Sequence, residues 1–174
     1  MKIKGILCAG LLAACLGCGT RTAPIPAPDT SAKDQADIKA LEDRFIAGFK
    51  ARDLNAIMAC YVPDESLVVF DVTPPRQYTG AIAYRKDFEN FLGTSVGPID
   101  ATIGDLEVTT GGGDVAYGYS IQHVVAADKT GKKMAMTVRV TDGYKRINGH
   151  WLISHEHVSV PVDLVTMKPD IDSK

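Results

Sequence analysis

The chain has 174 residues, of which 45% are hydrophobic and 23% are charged, and its formal net charge is −2. These proportions are typical of a globular protein, and the length suits one domain that buries a sizeable core. The balanced charge and the lack of any lysine- or arginine-rich run argue against a nucleic-acid partner.

The first residues have the features of an export signal. Two lysines precede the apolar stretch 6–14, which is too short to span a bilayer as a mature helix. The sequence Leu12-Ala13-Ala14-Cys15 resembles the lipobox of bacterial lipoproteins, in which the cysteine is diacylated and becomes the mature N-terminus. We therefore predict a signal peptide over residues 1–14 and lipidation at Cys15. Cys18 is the alternative lipidation site, and a plain secretory signal is the alternative interpretation.

A proline-containing segment, residues 15–33, follows the signal. Pro24, Pro26 and Pro28 favour an extended tether between the lipid and the domain. Two acyl chains anchor a protein stably, whereas one chain holds it only reversibly. Leu16 stands where an aspartate would retain a lipoprotein at the inner membrane, so the resemblance favours the outer membrane. We expect an exported, membrane-anchored bacterial lipoprotein that faces the periplasm and contacts the membrane through its lipid only.

Helical periodicity dominates the first half of the mature chain. The predicted helices are Asp34–Ala51, Leu54–Tyr61 and Ala81–Leu92, with a short strand over Leu67–Asp71. Ser31 and Asp34 are candidate N-caps of the first helix, and Asp53 is the predicted N-cap of the second. Cys60 is the only cysteine left in the folded part, so we expect a small buried apolar residue and no internal disulfide.

The second half of the chain has the patterns of strands. The predicted strands are Asp100–Thr110, Asp114–Ala127, Lys132–Ile147 and His150–Val162, followed by a flexible tail over 164–174. Asn148-Gly149 is a two-residue hairpin signal, because both central positions of that turn need a positive φ. Helices followed by long antiparallel strands indicate an α+β fold, and strands of this length must coil strongly.

The last predicted strand carries the most informative pattern. Strict alternation puts one set of side chains on a common face: Trp151, Ile153, His155, His157 and Ser159. The opposite face then carries Leu152, Ser154, Glu156, Val158 and Val160. A strand buried wholly in a core would not place two imidazoles after a large apolar start. We therefore predict that the histidine face is the wall of a cavity, apolar at one end and polar at the other.

Several segments resemble the SnoaL-like branch of the nuclear transport factor 2-like (NTF2-like) superfamily. The matching segments are Arg52-Asp53-Leu54-Asn55-Ala56, Asp142-Gly143, Asn148–Ile153 and His155–Ser159. The resemblance extends over residues 35–162. It implies a cone-shaped domain over residues 34–163, in which a strongly curved antiparallel sheet wraps around about three N-terminal helices. It implies no single chemistry, because this scaffold carries isomerases, dehydratases, cyclases, binding proteins and association modules.

The candidate ligand-binding residues are His155, His157, Arg139, Tyr61, Trp151 and Asp71. Either histidine could line the pocket wall or act as a general base near neutral pH. Both could also bind a metal ion with His123 as third ligand, although we expect no metal. The resemblance favours Arg139 inside the cone, where it could bind a carboxylate. It also places Tyr61 and Asp71 near the mouth or interior, and Trp151 is predicted apolar lining.

Three functions follow as hypotheses. The first is non-catalytic binding of a small, partly apolar molecule with an anionic or carbonyl group, without a cofactor. The second is an acid–base isomerase, dehydratase or cyclase that uses a pocket histidine. The third is an association module, because SnoaL-like relatives often form dimers through their sheets, and the resemblance therefore implies a homodimer.

Overall fold

The computed structural model describes residues 31–172 as three helices packed on the concave face of a curved sheet. The helices are α1 (Ser31–Ala51), α2 (Leu54–Met58) and α3 (Ala81–Thr94). The strands are β1 (Val68–Phe70), β2 (Tyr78–Thr79), β3 (Ser95–Thr110), β4 (Val115–Asp128), β5 (Lys133–Ile147), β6 (His150–Ser159), β7 (Val162–Asp163) and β8 (Lys168–Pro169). The predicted signal peptide, Cys15 and most of the tether lie outside the described residues. Within them, no helix is long and apolar enough to cross a membrane.

Six strands form the main sheet, in the order β2-β1-β6-β5-β4-β3. The α+β prediction is confirmed, but the sheet is mixed rather than purely antiparallel, because β1 runs parallel to β6. The chain reaches β1 from the exit of α2, where the backbone of Ile153 pairs with Cys60 and Val62. The Asn148-Gly149 hairpin turn is also confirmed, with φ of 52° and 82° at its two central positions.

The core lies between the helices and the sheet. Helix α1 buries the face that carries Ile38, Leu41, Phe45 and Phe49 at its three- and four-residue spacing. Burying a side chain of this size contributes about 2 kcal/mol to the free energy of unfolding. The Asp53 carboxylate caps α2 by accepting hydrogen bonds from the second and third backbone amides after it, at 2.9 and 3.0 Å. Helix α1 is therefore explained by its apolar face and helix α2 by its N-cap.

One end of the core is closed by an ion pair. Asp34 lies in the first turn of α1, since the helix begins three residues earlier at Ser31. Its carboxylate accepts a hydrogen bond of 2.6 Å from Nη2 of Arg146 and one of 3.3 Å from Nε1 of Trp151. The Arg146 guanidinium also stacks on the Trp151 ring, 4.6 Å from its centroid. We call Asp34, Arg146 and Trp151 the closed end.

The first part of the segment 164–174 belongs to a short hairpin. Strands β7 and β8 form a short hairpin, in which Val162 pairs with Pro169 and Asp163 with Lys168. The Asp163 carboxylate stabilises the turn by accepting hydrogen bonds from two backbone amides that follow it, at 2.8 and 3.2 Å.

Candidate functional site

A bulge in β6 decides which side chains face the interior. Gly143 of β5 pairs with His155, but the next residue, Tyr144, pairs with Ile153. Ser154 is therefore the extra residue of the bulge, and its hydroxyl donates a 3.0 Å hydrogen bond to the Gly143 carbonyl. A single extra residue moves every later side chain to the other face of the strand. The strict alternation predicted from the sequence fails at this point.

The bulge places both predicted histidines on the convex face, which corrects the prediction that they line a cavity. The Nδ1 atom of His155 contacts the Val68 carbonyl oxygen at 2.8 Å, and the ring packs edge-on against Phe70. His157 is exposed and also packs edge-on against Phe70. No histidine lines the cavity described below, within residues 31–172. A pocket histidine therefore cannot serve as the general base of the second hypothesis.

Two other candidates also lie away from the cavity. Arg139 is exposed on the convex face of β5, opposite the inward direction that the resemblance favoured. Trp151 is buried as predicted, but it belongs to the closed end. Asp71 lines the cavity, and Tyr61 lies directly behind its inner wall.

The cavity has a volume of about 470 Å³ and lies between α1, α3 and the concave face of β4, β5 and β6. Its walls are mainly apolar and include Phe45, Phe49, Phe88, Phe91, Met134 and Met136. Phe45 and Phe49 stack with an interplanar angle of 8°, and Phe88 packs edge-on against both. The cavity is therefore an aromatic chamber, which we call the aromatic cavity.

Glu156 forms the polar inner end of the aromatic cavity. The bulge turns it inward, and only 5% of the residue is exposed. Oε2 accepts a hydrogen bond of 2.7 Å from the Tyr61 hydroxyl, and Oε1 accepts one of 2.5 Å from the Tyr84 hydroxyl. Burial raises the pKa of Glu156 to about 7, although the two phenol hydrogen bonds oppose this rise. The carboxyl group therefore titrates near neutral pH.

Further acids continue from Glu156 into the interior. Asp142 pairs with Glu156 across β5 and β6, and burial together with the charges of Glu156 and Glu42 raises the pKa of Asp142. The Tyr144 hydroxyl donates a 2.8 Å hydrogen bond to Oε1 of Glu42. Burial raises the pKa of Glu42 to about 7. Adjacent buried acids cannot all be ionised, so this row holds protons at neutral pH.

Asp71 and Asp87 lie along the cavity towards its mouth. Burial raises the pKa of Asp71, and its Oδ2 lies 3.5 Å from the Tyr84 hydroxyl. The Tyr78 hydroxyl donates a 2.6 Å hydrogen bond to Oδ1 of Asp87. The charged groups that line the cavity are thus all carboxyls, and the other polar groups there are one phenol, two amides and two threonine hydroxyls.

Comparison with protein families supports the sequence resemblance. The SnoaL-like domain family matches residues 38–163, which is most of the chain. The chain belongs to the SnoaL-like family. A comparison with curated proteins found no match for it.

Solved structures place this SnoaL-like domain in the NTF2-like superfamily. An NTF2-like protein of unknown function from Pseudomonas putida KT2440 is 30% identical, with 83% of this chain and 98% of that chain covered and a TM-score of 0.74. An NTF2-like superfamily protein from Salmonella enterica serovar Typhimurium LT2 is 15% identical, with 76% and 94% covered and a TM-score of 0.69. A ketosteroid isomerase-like protein from Erwinia carotovora atroseptica SCRI1043 is 19% identical, with 73% and 95% covered and a TM-score of 0.62. The last two likenesses concern the fold alone.

Sequence reasoning missed the central acids of the SnoaL-like domain. Glu156 was assigned to the outer face, and Asp142 was given no role. One signal was present in both cases, namely an acid on an otherwise apolar strand face. Asp142 shares its face with Val138 and Val140, and Glu156 shares its face with Val158. Both acids are buried, and a buried acid on an apolar face marks a candidate functional site.

The described part of the SnoaL-like domain contains no group of three or more histidine, cysteine or acidic residues arranged to hold a metal ion. His123, considered above as a third metal ligand, is exposed on β4, and its Nδ1 atom lies 3.1 Å from the Thr137 hydroxyl. Cys60 is a buried free cysteine, as expected.

Proposed function

We propose that this domain binds a small, largely apolar molecule in the aromatic cavity, with one polar group of that molecule directed at Glu156 and Tyr84. The observation that carries the proposal is the buried acid with its two phenol partners at the inner end of the cavity. Small-molecule sites are concave and mostly apolar, with a few convergent polar groups, and they commonly enclose ~300–1,000 Å³. The aromatic cavity meets each of these conditions.

Binding of a neutral apolar fluorophore, N-phenyl-1-naphthylamine, tests this function. The full chain should enhance its fluorescence with one equivalent bound. Val158→Trp, which fills part of the cavity, should weaken binding at least tenfold. His157→Ala, a change on the convex face, should leave binding unchanged. Equal binding by wild type and Val158→Trp would contradict the proposal, as would a loss in His157→Ala.

A second candidate function is acid–base catalysis in the same cavity. The observation that favours it is the pKa of Glu156, about 7, at a position that a bound molecule would touch. A general base works best when its pKa lies near the operating pH. Glu156 would take a proton from a carbon–hydrogen or oxygen–hydrogen bond of the substrate and return it to another position. One structural neighbour is named a ketosteroid isomerase-like protein, which makes proton transfer at carbon the reaction to examine first.

Solvent exchange tests this second candidate. Molecules that co-purify with the native protein are identified by mass spectrometry and returned to the protein in heavy water. Wild type should introduce deuterium at an acidic position of the molecule, and Glu156→Gln should not. Equal exchange in Glu156→Gln and wild type removes Glu156 as the base, and binding then remains the function.

We also propose that two copies associate through the convex face of the sheet. Tyr117, Tyr119 and Ile121 of β4 are 52%, 52% and 41% exposed there. An acidic side chain, Glu107 of β3, flanks this strip on one side, and Arg139 of β5 flanks it on the other. A two-fold axis along β4 would set β3 of each copy against β5 of its partner, which matches opposite charges. Light scattering should give a dimer mass that Tyr119→Lys halves, and a monomeric wild type would exclude this arrangement.

The N-terminal prediction stays a proposal from the sequence. We propose that the chain is exported and carries a lipid on Cys15, which anchors it to the outer membrane. Mass spectrometry of membrane-extracted protein should show a diacylated N-terminal Cys15. Cys15→Ala should release the protein from the membrane fraction, whereas Cys18→Ala should not.

A further inference from the structure

We propose that the molecule bound in the aromatic cavity is an apolar amine, whose ammonium group pairs with the carboxylate of Glu156. This inference rests on the proposed function, because it names the chemical class of ligand for the same cavity. It also reverses the sequence-based expectation of an anionic or carbonyl group.

The charges around the cavity are the first reason. Three acidic residues line it, namely Asp71, Asp87 and Glu156, and no lysine, arginine or histidine of residues 31–172 does so. Arg139, the residue expected to receive an anion, lies on the opposite face of the sheet. An anionic ligand would enter an apolar chamber without a counter-charge, and burial of an unpaired charge is strongly unfavourable. A cationic ligand would find its counter-charge in place.

The aromatic rings are the second reason. Four phenylalanines and Tyr84 line the cavity. The face of an aromatic ring carries partial negative charge and attracts a cation within about 6 Å of its centroid. The same rings offer apolar surface to a hydrocarbon skeleton. An amine on an apolar skeleton uses both properties, whereas a neutral alcohol or ketone uses only the second.

The hydrogen-bond groups at the inner end are the third reason. The hydroxyl protons of Tyr61 and Tyr84 are both donated to Glu156. An ionised carboxylate has room for about four hydrogen bonds and donates none. Glu156 therefore retains capacity to accept N–H groups, while both phenol donors beside it are engaged. A ligand carbonyl placed against Glu156 would need Glu156 in its protonated form, so at this inner end it would compete poorly once Glu156 is ionised.

These three features give amine binding a defined dependence on pH. The titratable groups that face Glu156 from the elements packed against it are Glu42 of α1, Tyr61 after α2, Asp71 after β1, Tyr84 of α3, and Asp142 and Tyr144 of β5. None of them is cationic. Glu156 is mostly protonated at pH 5.5 and mostly ionised at pH 8, whereas an alkylamine is protonated at both. Amine binding should therefore strengthen from pH 5.5 to pH 8, and binding of a carbonyl compound should weaken.

Three compounds with one skeleton test the proposal: 1-aminoadamantane, 1-adamantanol and adamantane-1-carboxylate. Binding to the full chain is measured by calorimetry at pH 5.5 and pH 8. At pH 8 the amine should bind at least tenfold more tightly than the alcohol, and the carboxylate should bind most weakly. Glu156→Gln should remove the advantage of the amine over the alcohol. Glu65→Gln, the same change at an exposed position that does not line the cavity, should leave this advantage intact.

The outcomes separate this inference from the proposed function. If the alcohol or the carboxylate binds as tightly as the amine, the amine inference is overturned while the binding function stands. If Glu156→Gln keeps the full advantage of the amine, the inference is also overturned, because the ammonium group then pairs elsewhere. If none of the three compounds binds, the binding function itself is contradicted.

Discussion

Asp34 and Glu156 are both buried carboxyl groups, but they touch different partners. At the closed end, Asp34 accepts hydrogen bonds from the Arg146 guanidinium and the Trp151 indole. At the inner end of the aromatic cavity, Glu156 accepts hydrogen bonds from two neutral phenols. A guanidinium balances the charge of a carboxylate, whereas a phenol only solvates it. The first arrangement serves structure, and the second leaves a proton that can be gained or lost near neutral pH.

Removal of the cation at the closed end should give the largest effect on stability. Arg146→Met removes the guanidinium that pairs with the buried Asp34 carboxylate. We expect the free energy of unfolding to fall by about 4 kcal/mol, as is usual when one partner of a buried pair is removed. Urea unfolding at pH 7 measures this loss through the fluorescence of the single tryptophan. Lys33→Met breaks an exposed pair with Asp37 and should cost no more than about 0.5 kcal/mol. Similar losses of stability in Arg146→Met and Lys33→Met would show that the buried pair contributes no more than the exposed one.

The second largest effect should be a dependence of stability on pH that comes from Glu156. In the folded chain the pKa of Glu156 is about 7, above its usual value of 4.5, so the folded state holds a proton that the unfolded state has released. Its contribution to stability is complete below pH 4.5 and is lost as the pH rises towards 7. A shift of this size corresponds to ~3 kcal/mol. Glu156→Gln carries no titratable proton, so it should be more stable than wild type at pH 8 and similar at pH 4.

Urea unfolding across this pH range provides the measurement. Glu42 also has a raised pKa of about 7, so wild type should keep part of its pH dependence in Glu156→Gln. Glu65→Gln, at an exposed position away from the cavity, should follow the wild-type curve. A wild-type stability that rises between pH 5 and pH 8 would show that Glu156 is not protonated in the fold.

Loss of one phenol donor should give the smallest effect. The hydrogen bond from Tyr84 lowers the pKa of Glu156, so Tyr84→Phe should shift the midpoint of the pH transition upward. We expect a loss of ~1 kcal/mol at pH 8 and a smaller loss at pH 5, because a hydrogen bond to a charged group is the stronger one. Tyr119→Phe, an exposed position on β4, should have no effect on the midpoint. An unchanged midpoint in Tyr84→Phe would mean that Tyr61 alone solvates Glu156.

The sequence predicted the fold well because its signals are local. The periodicity of Ile38, Leu41, Phe45 and Phe49, the cap at Asp53 and the turn at Asn148-Gly149 each act within a few residues. The candidate site depends on register, which is not local. One extra residue, Ser154, exchanges the two faces of β6, so that His155 and His157 turn outward and Glu156 turns inward. Alternation cannot reveal such a bulge, because it depends on how β6 meets β5 and the exit of α2.

The first turn of α1 is held to Arg146 through Asp34, while the aromatic cavity lies farther along the same helix, beside Phe45 and Phe49. The chain therefore enters the domain at the base of the cone. Because Asp34, Arg146 and Trp151 do not line the aromatic cavity, a bound molecule would contact none of the side chains that hold this entry of the chain.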